Sequence, residues 1–216
     1  MNKAVIFDLD GTLLHTVPDI TDNVNRMLIK FGYPEVSESD VATFVGNGAG
    51  KLVERCIGKP LTEDELKERL GYYNKIYTEC GSPKTALFKG ISEVLFTLKE
   101  RGYKIAILTN KPQPTTERVY ATYLSQFGFD MVVGSSDKVK CKPDKTATMQ
   151  ILKSLEVEPE NAYFVGDGET DVMTAINSGT KGIAVLWGYR SKDALQKAGA
   201  TVFAYSPSEL LTIIKN

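Results

Sequence analysis

Long apolar runs, an excess of charge and low-complexity segments are all missing from this 216-residue sequence. No stretch approaches the roughly 20 apolar residues that a membrane-spanning helix needs, so we expect a soluble chain with no membrane partner. The 26 Lys and Arg residues balance 27 Asp and Glu residues, which argues against a nucleic-acid partner. No internal repeat is visible, which sets repeat architectures aside.

Cysteine and histidine are also scarce. Cys56, Cys80 and Cys141 are odd in number and widely spaced, which fits neither a disulfide framework nor a zinc site built on Cys-x-x-Cys pairs. We therefore expect reduced thiols in a cytoplasmic protein. His15 is the only histidine.

Buried strands alternating with helices dominate what is present. Continuous apolar runs of strand length lack polar alternation, which is typical of parallel strands covered by helices on both faces. Helical patterns lie between most of them. The sequence therefore predicts an α/β fold with a doubly wound, mainly parallel, Rossmann-like sheet. The predicted strands are Ala4 to Phe7, Ile105 to Leu108, Met131 to Gly134, Ala162 to Gly166, Gly182 to Leu186 and Thr201 to Tyr205.

One interval breaks this alternation. Between Thr12 and about Lys84 the sequence has helix signals and no convincing strand, which predicts an inserted all-α cap. We expect a cap over residues 15–83 and an α/β core over residues 1–14 and 84–216.

The insert carries two local helix signals. Its first helix places an apolar stripe on one face and is expected to stop at Gly32. Thr62 and Glu65 have the spacing of a capping box, which predicts the start of a later helix.

Two carboxylates, Asp8 and Asp10, follow the first predicted strand directly. Ligands in open parallel sheets bind beyond the carboxyl ends of the strands. Two neighbouring carboxylates repel each other, so they favour a bound cation or a shared proton. The alternative is an ordinary Asx turn after a strand.

Two further segments carry groups that suit a phosphate. Thr109 and Asn110 follow another buried strand and offer hydrogen-bond donors to phosphate oxygens, although they also suit a simple loop. Lys140 and Lys142 lie in a short basic turn before a helix, where a lysine can steady an anionic intermediate. Spacing alone does not choose between these lysines, and a solvated charge cluster is the alternative for both.

The segment from Asp167 to Asp171 is rich in carboxylates and joins a buried strand to a helix. Mg²⁺ prefers oxygen ligands and binds through one or two carboxylates together with water and substrate phosphate. Asp167 is therefore a candidate to complete a site with Asp8 and Asp10. The alternative is helix capping and favourable charge on the first helical turn.

Taken together and in this order, these four segments resemble the haloacid dehalogenase superfamily of aspartate-nucleophile phosphatases. The resemblance covers nearly the whole chain. The segment from Asn110 to Pro112 and the segment from Val45 to Gly48 look most like phosphoglycolate phosphatases with a helical cap.

The resemblance implies a role for each residue. It makes Asp8 the nucleophile and Asp10 the general acid and base. It implies Mg²⁺ bound by the carboxylates of Asp8 and Asp167 and the backbone carbonyl of Asp10, with Asp171 supporting these ligands.

The same resemblance implies which residues contact the phosphoryl group. Thr109 and Asn110 are expected to bind its oxygens, and Lys142 to neutralise the charge that it shares with the nucleophile. Dehalogenases of the superfamily lack the second aspartate, so Asp10 favours phosphoryl transfer.

A glycine-rich loop in the cap is a candidate for substrate binding. The stretch Gly46, Asn47 and Gly48, with Lys51 and Arg55 after it, fits neither a P-loop nor a dinucleotide loop. It can still offer backbone N–H groups to an anionic substrate, and Lys51 or Arg55 can pair with a carboxylate. The alternative is a plain loop that opens a helix.

The sequence departs from the family pattern in three places. His15-Thr16 stands where relatives commonly have Asp-Ser, Gly168 where they often have Ser or Thr, and Lys145 where they usually have a second proline. None of these changes removes a group with an assigned role.

The resulting expectation is a magnesium-dependent phosphatase that hydrolyses a small phosphate monoester such as phosphoglycolate. The alternatives are a phosphosugar mutase, a nucleotidase or a pyrophosphatase of the same fold, or a non-catalytic regulatory module. Oligomeric state is left open.

Overall fold

The structure is a computed structural model that describes residues 2–215. Within these residues the chain forms the following strands: β1 (Ala4–Phe7), β2 (Leu14–His15), β3 (Ala86–Leu87), β4 (Lys104–Pro112), β5 (Met131–Ser135), β6 (Ala162–Gly166), β7 (Lys181–Val185) and β8 (Phe203–Ala204). Six of them form one sheet in the order β5-β4-β1-β6-β7-β8, and every neighbouring pair is parallel. The carboxyl ends of all six strands therefore meet at one edge, with β1 near the centre.

Helices cover the sheet and fill the insert. They are α1 (Val17–Lys30), α2 (Glu38–Phe44), α3 (Ala49–Ile57), α4 (Glu63–Cys80), α5 (Ile91–Glu100), α6 (Gln113–Tyr123), α7 (Thr146–Ser154), α8 (Glu169–Ser178), α9 (Lys192–Lys197) and α10 (Pro207–Ile213). The first four lie between β2 and β3 in the chain.

Alternating strand residues bury both faces of the sheet. In β1, Val5 and Phe7 pack in the cluster that also holds buried residues of α5, α6 and α10. Ala4 and Ile6 point to the opposite face, where buried residues of α7 and α8 pack. This explains why the strands read as unbroken apolar runs, and it confirms the predicted doubly wound α/β fold.

The expectation of no strand between Thr12 and Lys84 is wrong in one place. Leu14–His15 forms a strand that pairs antiparallel with Ala86–Leu87, just outside the two ends of the helical insert. Two residues are too few to produce a periodic pattern, and their pairing is visible only when both segments are brought together.

The remainder of the insert is helical, as predicted. Helix α1 ends before Gly32, and Thr62 begins α4 with the predicted capping box, in which its side chain accepts from the Glu65 N–H. The assignment of residues 15–83 to a separate cap stays a prediction.

No helix within residues 2–215 is long and apolar enough to cross a membrane. The three cysteines are free, with Cys56 buried and Cys80 and Cys141 exposed.

Candidate active site

Polar residues of three neighbouring strands meet at the carboxyl edge of the sheet. Asp8 follows β1, and its backbone N–H continues the ladder by donating to Val165 on β6. On the other side of β1, the pairing of β4 with β5 shifts register between Leu108 and Pro112. Such a bulge redirects side chains locally, and it presents Thr109, Asn110 and Lys111 at the same edge.

Lys142 is held between two buried carboxylates. Its Nζ lies 2.7 Å from Asp8 Oδ1 and 2.6 Å from Asp171 Oδ1, and its side chain is 2% exposed. Lys140 instead faces solvent, with 74% of its side chain exposed and Nζ 3.7 Å from Asp144. The structure therefore selects Lys142 over Lys140 as the lysine that contacts Asp8.

Asp167 is fixed by neighbours that approach very closely. Its Oδ1 accepts a 3.0 Å hydrogen bond from the Thr12 hydroxyl, and its Oδ2 accepts a 2.8 Å bond from the Tyr189 N–H. A Cβ at Gly11 or at Gly188 would lie 2.3 Å from Asp167 atoms. Gly11 also has φ +88°, so both space and backbone conformation favour glycine there.

Negative charge is in excess at this buried site. Burial, followed by the charge of Asp171, raises the pKa of Asp8 to about 8, although Lys142 acts in the lowering direction. Burial and Asp171 likewise raise the pKa of Asp167 to about 7. Burial lowers the pKa of Lys142, but Asp171 and Asp8 outweigh burial and raise it overall, so the ammonium stays charged.

These residues fit a divalent cation. Oxygen atoms of Asp8, Asp167 and Asp171 lie within 4.8 Å of one another, and all three side chains are buried. Lys142 pairs with two of the three carboxylates, Asp8 and Asp171. Burial and then repulsion by Asp171 raise the pKa of Asp8 and Asp167, and a bound cation would oppose both effects by favouring the charged carboxylates. Carboxylate oxygens are the ligands that Mg²⁺ prefers.

Asp10 forms a second ion pair beside the first cluster. Lys111 Nζ lies 3.0 Å from Asp10 Oδ1 and 3.2 Å from Oδ2, and both side chains are nearly buried. Burial lowers the pKa of Lys111, but Asp10 and the nearby Tyr77 and Tyr73 raise it overall. The Lys111 ammonium is therefore a permanent charge at this point.

Thr109 and Asn110 are placed differently from each other. The Thr109 oxygen accepts from the Lys111 N–H, which leaves its hydroxyl proton free to donate. The Asn110 amide already bonds to both backbone groups of Lys142 and donates to the Gly46 carbonyl at 2.9 Å. Its side chain therefore joins the Lys142 segment to the insert, and its predicted contact with phosphoryl oxygens stays a prediction.

The glycine-rich loop reaches the site only in part. Gly46 and Gly48 line the pocket beside Asp8 and Asp10. Asn47 is exposed and accepts from Arg55, whereas Lys51 is exposed and pairs with Glu54 at 2.6 Å. The structure therefore does not bring Asn47, Lys51 or Arg55 into this pocket, and their roles in substrate binding stay predictions.

The three departures from the family pattern leave the carboxylate cluster intact. His15 Nδ1 lies 3.3 Å from the Tyr189 hydroxyl, at the short β2 strand. Gly168 donates its N–H to Asp171 Oδ2 at 2.9 Å, and Lys145 precedes α7. A hydroxyl or a proline at these positions is not needed for the contacts described.

The sequence reasoning missed several residues of the site. Lys111 directly follows Thr109 and Asn110, but a lysine before a proline suits a simple loop and predicts no role in the site. A second group follows β7, another strand that ends at the same edge, and that position was the available signal. Trp187 donates to the Thr12 carbonyl, Tyr189 holds Asp167, and Arg190 pairs with Glu169 and donates to the Ala42 carbonyl.

The family model of the haloacid dehalogenase-like hydrolases matches residues 5–185. The chain belongs to this family. The phosphoglycolate phosphatase of Haemophilus influenzae (strain 86-028NP) is 32% identical over 98% of each chain. Phosphoglycolate phosphatase 1 of Pseudomonas aeruginosa is 32% identical over 97% of this chain and 78% of that protein. A crystal structure of a predicted phosphoglycolate phosphatase from Haemophilus somnus superposes with a TM-score of 0.90 at 27% identity, covering 99% of this chain and 98% of that one.

These matches confirm the predicted resemblance. The chain is a phosphoric monoester hydrolase with the fold of the haloacid dehalogenase-like phosphatases.

Proposed function

We propose that this protein is a magnesium-dependent phosphatase that hydrolyses a small, phosphoglycolate-like monoester through an aspartyl-phosphate on Asp8. One observation carries the proposal. The Asp8 carboxylate lies at the carboxyl end of the central strand, 2.7 Å from a buried lysine and two residues before a second pocket carboxylate, Asp10. Nucleophile and acid thus line one pocket, and the charge stabiliser contacts the nucleophile.

The chemistry follows from these positions. An Asp8 oxygen forms a bond to phosphorus while the ester P–O bond breaks, and Asp10 gives a proton to the leaving oxygen. Asp10 then takes a proton from water as that water attacks phosphorus and releases Asp8. Lys142 stabilises the negative charge that Asp8 and the phosphoryl group share, and the free Thr109 hydroxyl proton suits a phosphoryl oxygen.

Asp8 and Asp167 would bind Mg²⁺ through their carboxylates, and Asp10 through its backbone carbonyl. When bound, Mg²⁺ supplies positive charge against the phosphate and the carboxylates. Asp171 would support these ligands, since one of its oxygens pairs with Lys142 and the other accepts from Gly168.

The relatives and the polar lining of the pocket support the proposed substrate. The Haemophilus influenzae relative is named a phosphoglycolate phosphatase. The carboxylates of Asp8 and Asp10 and the ammonium of Lys111 line one pocket, which suits a polar phosphate ester.

The helical segment of residues 15–83 is proposed to act as a hinged cap. The short β2–β3 pair lies beside both ends of this segment, and the Asn110 bond to Gly46 links it to the core. Closure would exclude water from the aspartyl-phosphate. Trapping the enzyme with a phosphate mimic should change its small-angle scattering, and an unchanged profile would contradict the hinge.

We also propose a cytoplasmic location, which the three free cysteines support. Cell fractionation tests this, and recovery of the protein from an oxidising compartment would contradict it.

Magnesium-dependent phosphate release across phosphoglycolate, sugar phosphates, nucleotides and pyrophosphate tests the function. We expect selective release from a small ester, loss of release after metal chelation and recovery with Mg²⁺. Asp8→Asn should abolish release, whereas the matched control Asp137→Asn changes an exposed carboxylate and should not. Full activity in Asp8→Asn, or a requirement for a bisphosphate activator, would overturn the proposal.

A further inference from the structure

The pocket has one cation of its own. Among residues 2–215, Lys111 is the only lysine or arginine that lines it. Much of the remaining wall is apolar or aromatic, with Ile20, Leu52, Tyr73 and Tyr77 contributed by the helical segment. A charge in such a wall is weakly screened, so it discriminates strongly between charged and neutral ligands.

The Lys111 ammonium is not saturated by its protein contacts. It bonds to the two oxygens of Asp10 and lies 4.9 Å from the centre of the Tyr77 ring. An ammonium has three N–H donors, and two of them are used by Asp10, so one can still donate to a further anionic partner.

The position of Lys111 relates it to the leaving group. A general acid lies within hydrogen-bond reach of the oxygen that it protonates. Lys111 Nζ is 3.0 Å from Asp10, so it lies beside the leaving oxygen rather than beside the phosphoryl group, which Lys142 serves. A negative group one or two atoms from that oxygen would therefore meet the Lys111 ammonium.

We propose that Lys111 determines specificity by pairing with a carboxylate on the leaving group of the substrate. This inference rests on the proposed phosphatase function and narrows the substrate class to short phosphorylated hydroxy acids. The sequence analysis instead expected Lys51 or Arg55, both in the helical segment, to pair with the substrate carboxylate. Both of those side chains are exposed and already paired within that segment.

The test compares two esters of the same chain length, 2-phosphoglycolate and ethyl phosphate, which differ in the carboxylate. The kcat/KM for each is measured in wild type, Lys111→Met, Lys111→Arg and the control Lys75→Met, an exposed lysine on α4. Loss of the Lys111 contact with Asp10 should lower kcat/KM for both esters by the same factor. That factor cancels when the ratio of the two kcat/KM values is compared between variants.

We expect wild type to favour phosphoglycolate and Lys111→Met to reduce that preference on the order of 100-fold, with part of it restored in Lys111→Arg. Lys75→Met should leave the preference unchanged. In an Asp8→Asn background, Lys111→Met should weaken calorimetric binding of phosphoglycolate far more than binding of inorganic phosphate.

Two results would overturn the inference while leaving the phosphatase intact. One is an equal loss for both esters in Lys111→Met, which shows that Lys111 only positions Asp10. The other is a wild-type enzyme without preference for the carboxylated ester. If wild type released phosphate from no monoester, the proposed function itself would fail.

Discussion

Replacing Lys142 by methionine should reduce stability and activity far more than the same replacement of Lys140, although sequence spacing alone did not distinguish the two lysines. Methionine keeps most of the side-chain volume but removes the ammonium 2.7 Å from Asp8 and 2.6 Å from Asp171. Removing one partner of a buried ion pair costs about 3–5 kcal/mol because the remaining charge is uncompensated. Lys140→Met, at an exposed position, should change stability by less than about 0.5 kcal/mol.

The destabilisation should depend on pH in a defined direction. The pKa of Asp8 is about 8 in the folded protein and near 3.8 in the unfolded chain, and loss of Lys142 raises the folded value further. Between these values the folded state binds more protons than the unfolded state, so stability falls as pH rises. Wild type and variant share this slope up to about pH 8, above which Asp8 ionises in wild type but stays protonated in the variant. The cost of Lys142→Met should therefore be larger near pH 9 than near pH 5.

Urea unfolding of metal-free wild type and both variants at the two pH values measures this, alongside phosphate release. Activity should fall on the order of 100-fold or more in Lys142→Met and stay near wild type in Lys140→Met. A large loss of stability in Lys140→Met, or an equal loss from Lys142→Met at both pH values, would refute the reasoning.

Three further predictions follow from local contacts. Asp8→Asn removes a buried negative charge, so the metal-free variant should melt at a higher temperature than wild type near pH 8; a lower melting temperature would contradict this. Gly188→Ala places a Cβ against Asp167 and should weaken magnesium activation about 10-fold or more, whereas Gly50→Ala meets no atom within 4 Å and should not; equal effects in titrations would exclude a steric cause. Thr62→Ala removes the cap of α4 and should lower the unfolding free energy by about 1 kcal/mol in urea, and no change would show that the cap is dispensable.

Elements buried on both faces were the most predictable from sequence. The observed bounds of β1 and β6, Ala4–Phe7 and Ala162–Gly166, coincide with the predicted runs because every residue there packs against a helix or strand. β4 was predicted to end at Leu108 but continues to Pro112, since polar residues in a bulge interrupt the apolar run. The β2–β3 pair depends on contact between distant segments, which no local pattern reveals.

The site residues that could be predicted were the carboxylates that directly follow a predicted strand. Asp167 was expected to lie near Asp8 because both follow strands that end at one edge, whereas Asp171 was expected only from the family resemblance. The structure places oxygens of all three within 4.8 Å of one another. Lys111 was overlooked because its importance lies in burial beside Asp10, and burial of a lysine runs against its usual exposure. Lys51 was predicted to bind substrate because it follows a glycine-rich loop, but its ammonium group is exposed to solvent.

Identification of the phosphorylated residue tests the central claim most directly. Wild type and Asp8→Asn are mixed with phosphoglycolate and Mg²⁺, quenched in acid within one turnover, reduced with borohydride and mapped by peptide mass spectrometry. Borohydride converts an aspartyl-phosphate into homoserine, so we predict that this change occurs at position 8 in wild type and is absent from the variant. Turnover without modification at Asp8, or modification at another aspartate, would contradict the account.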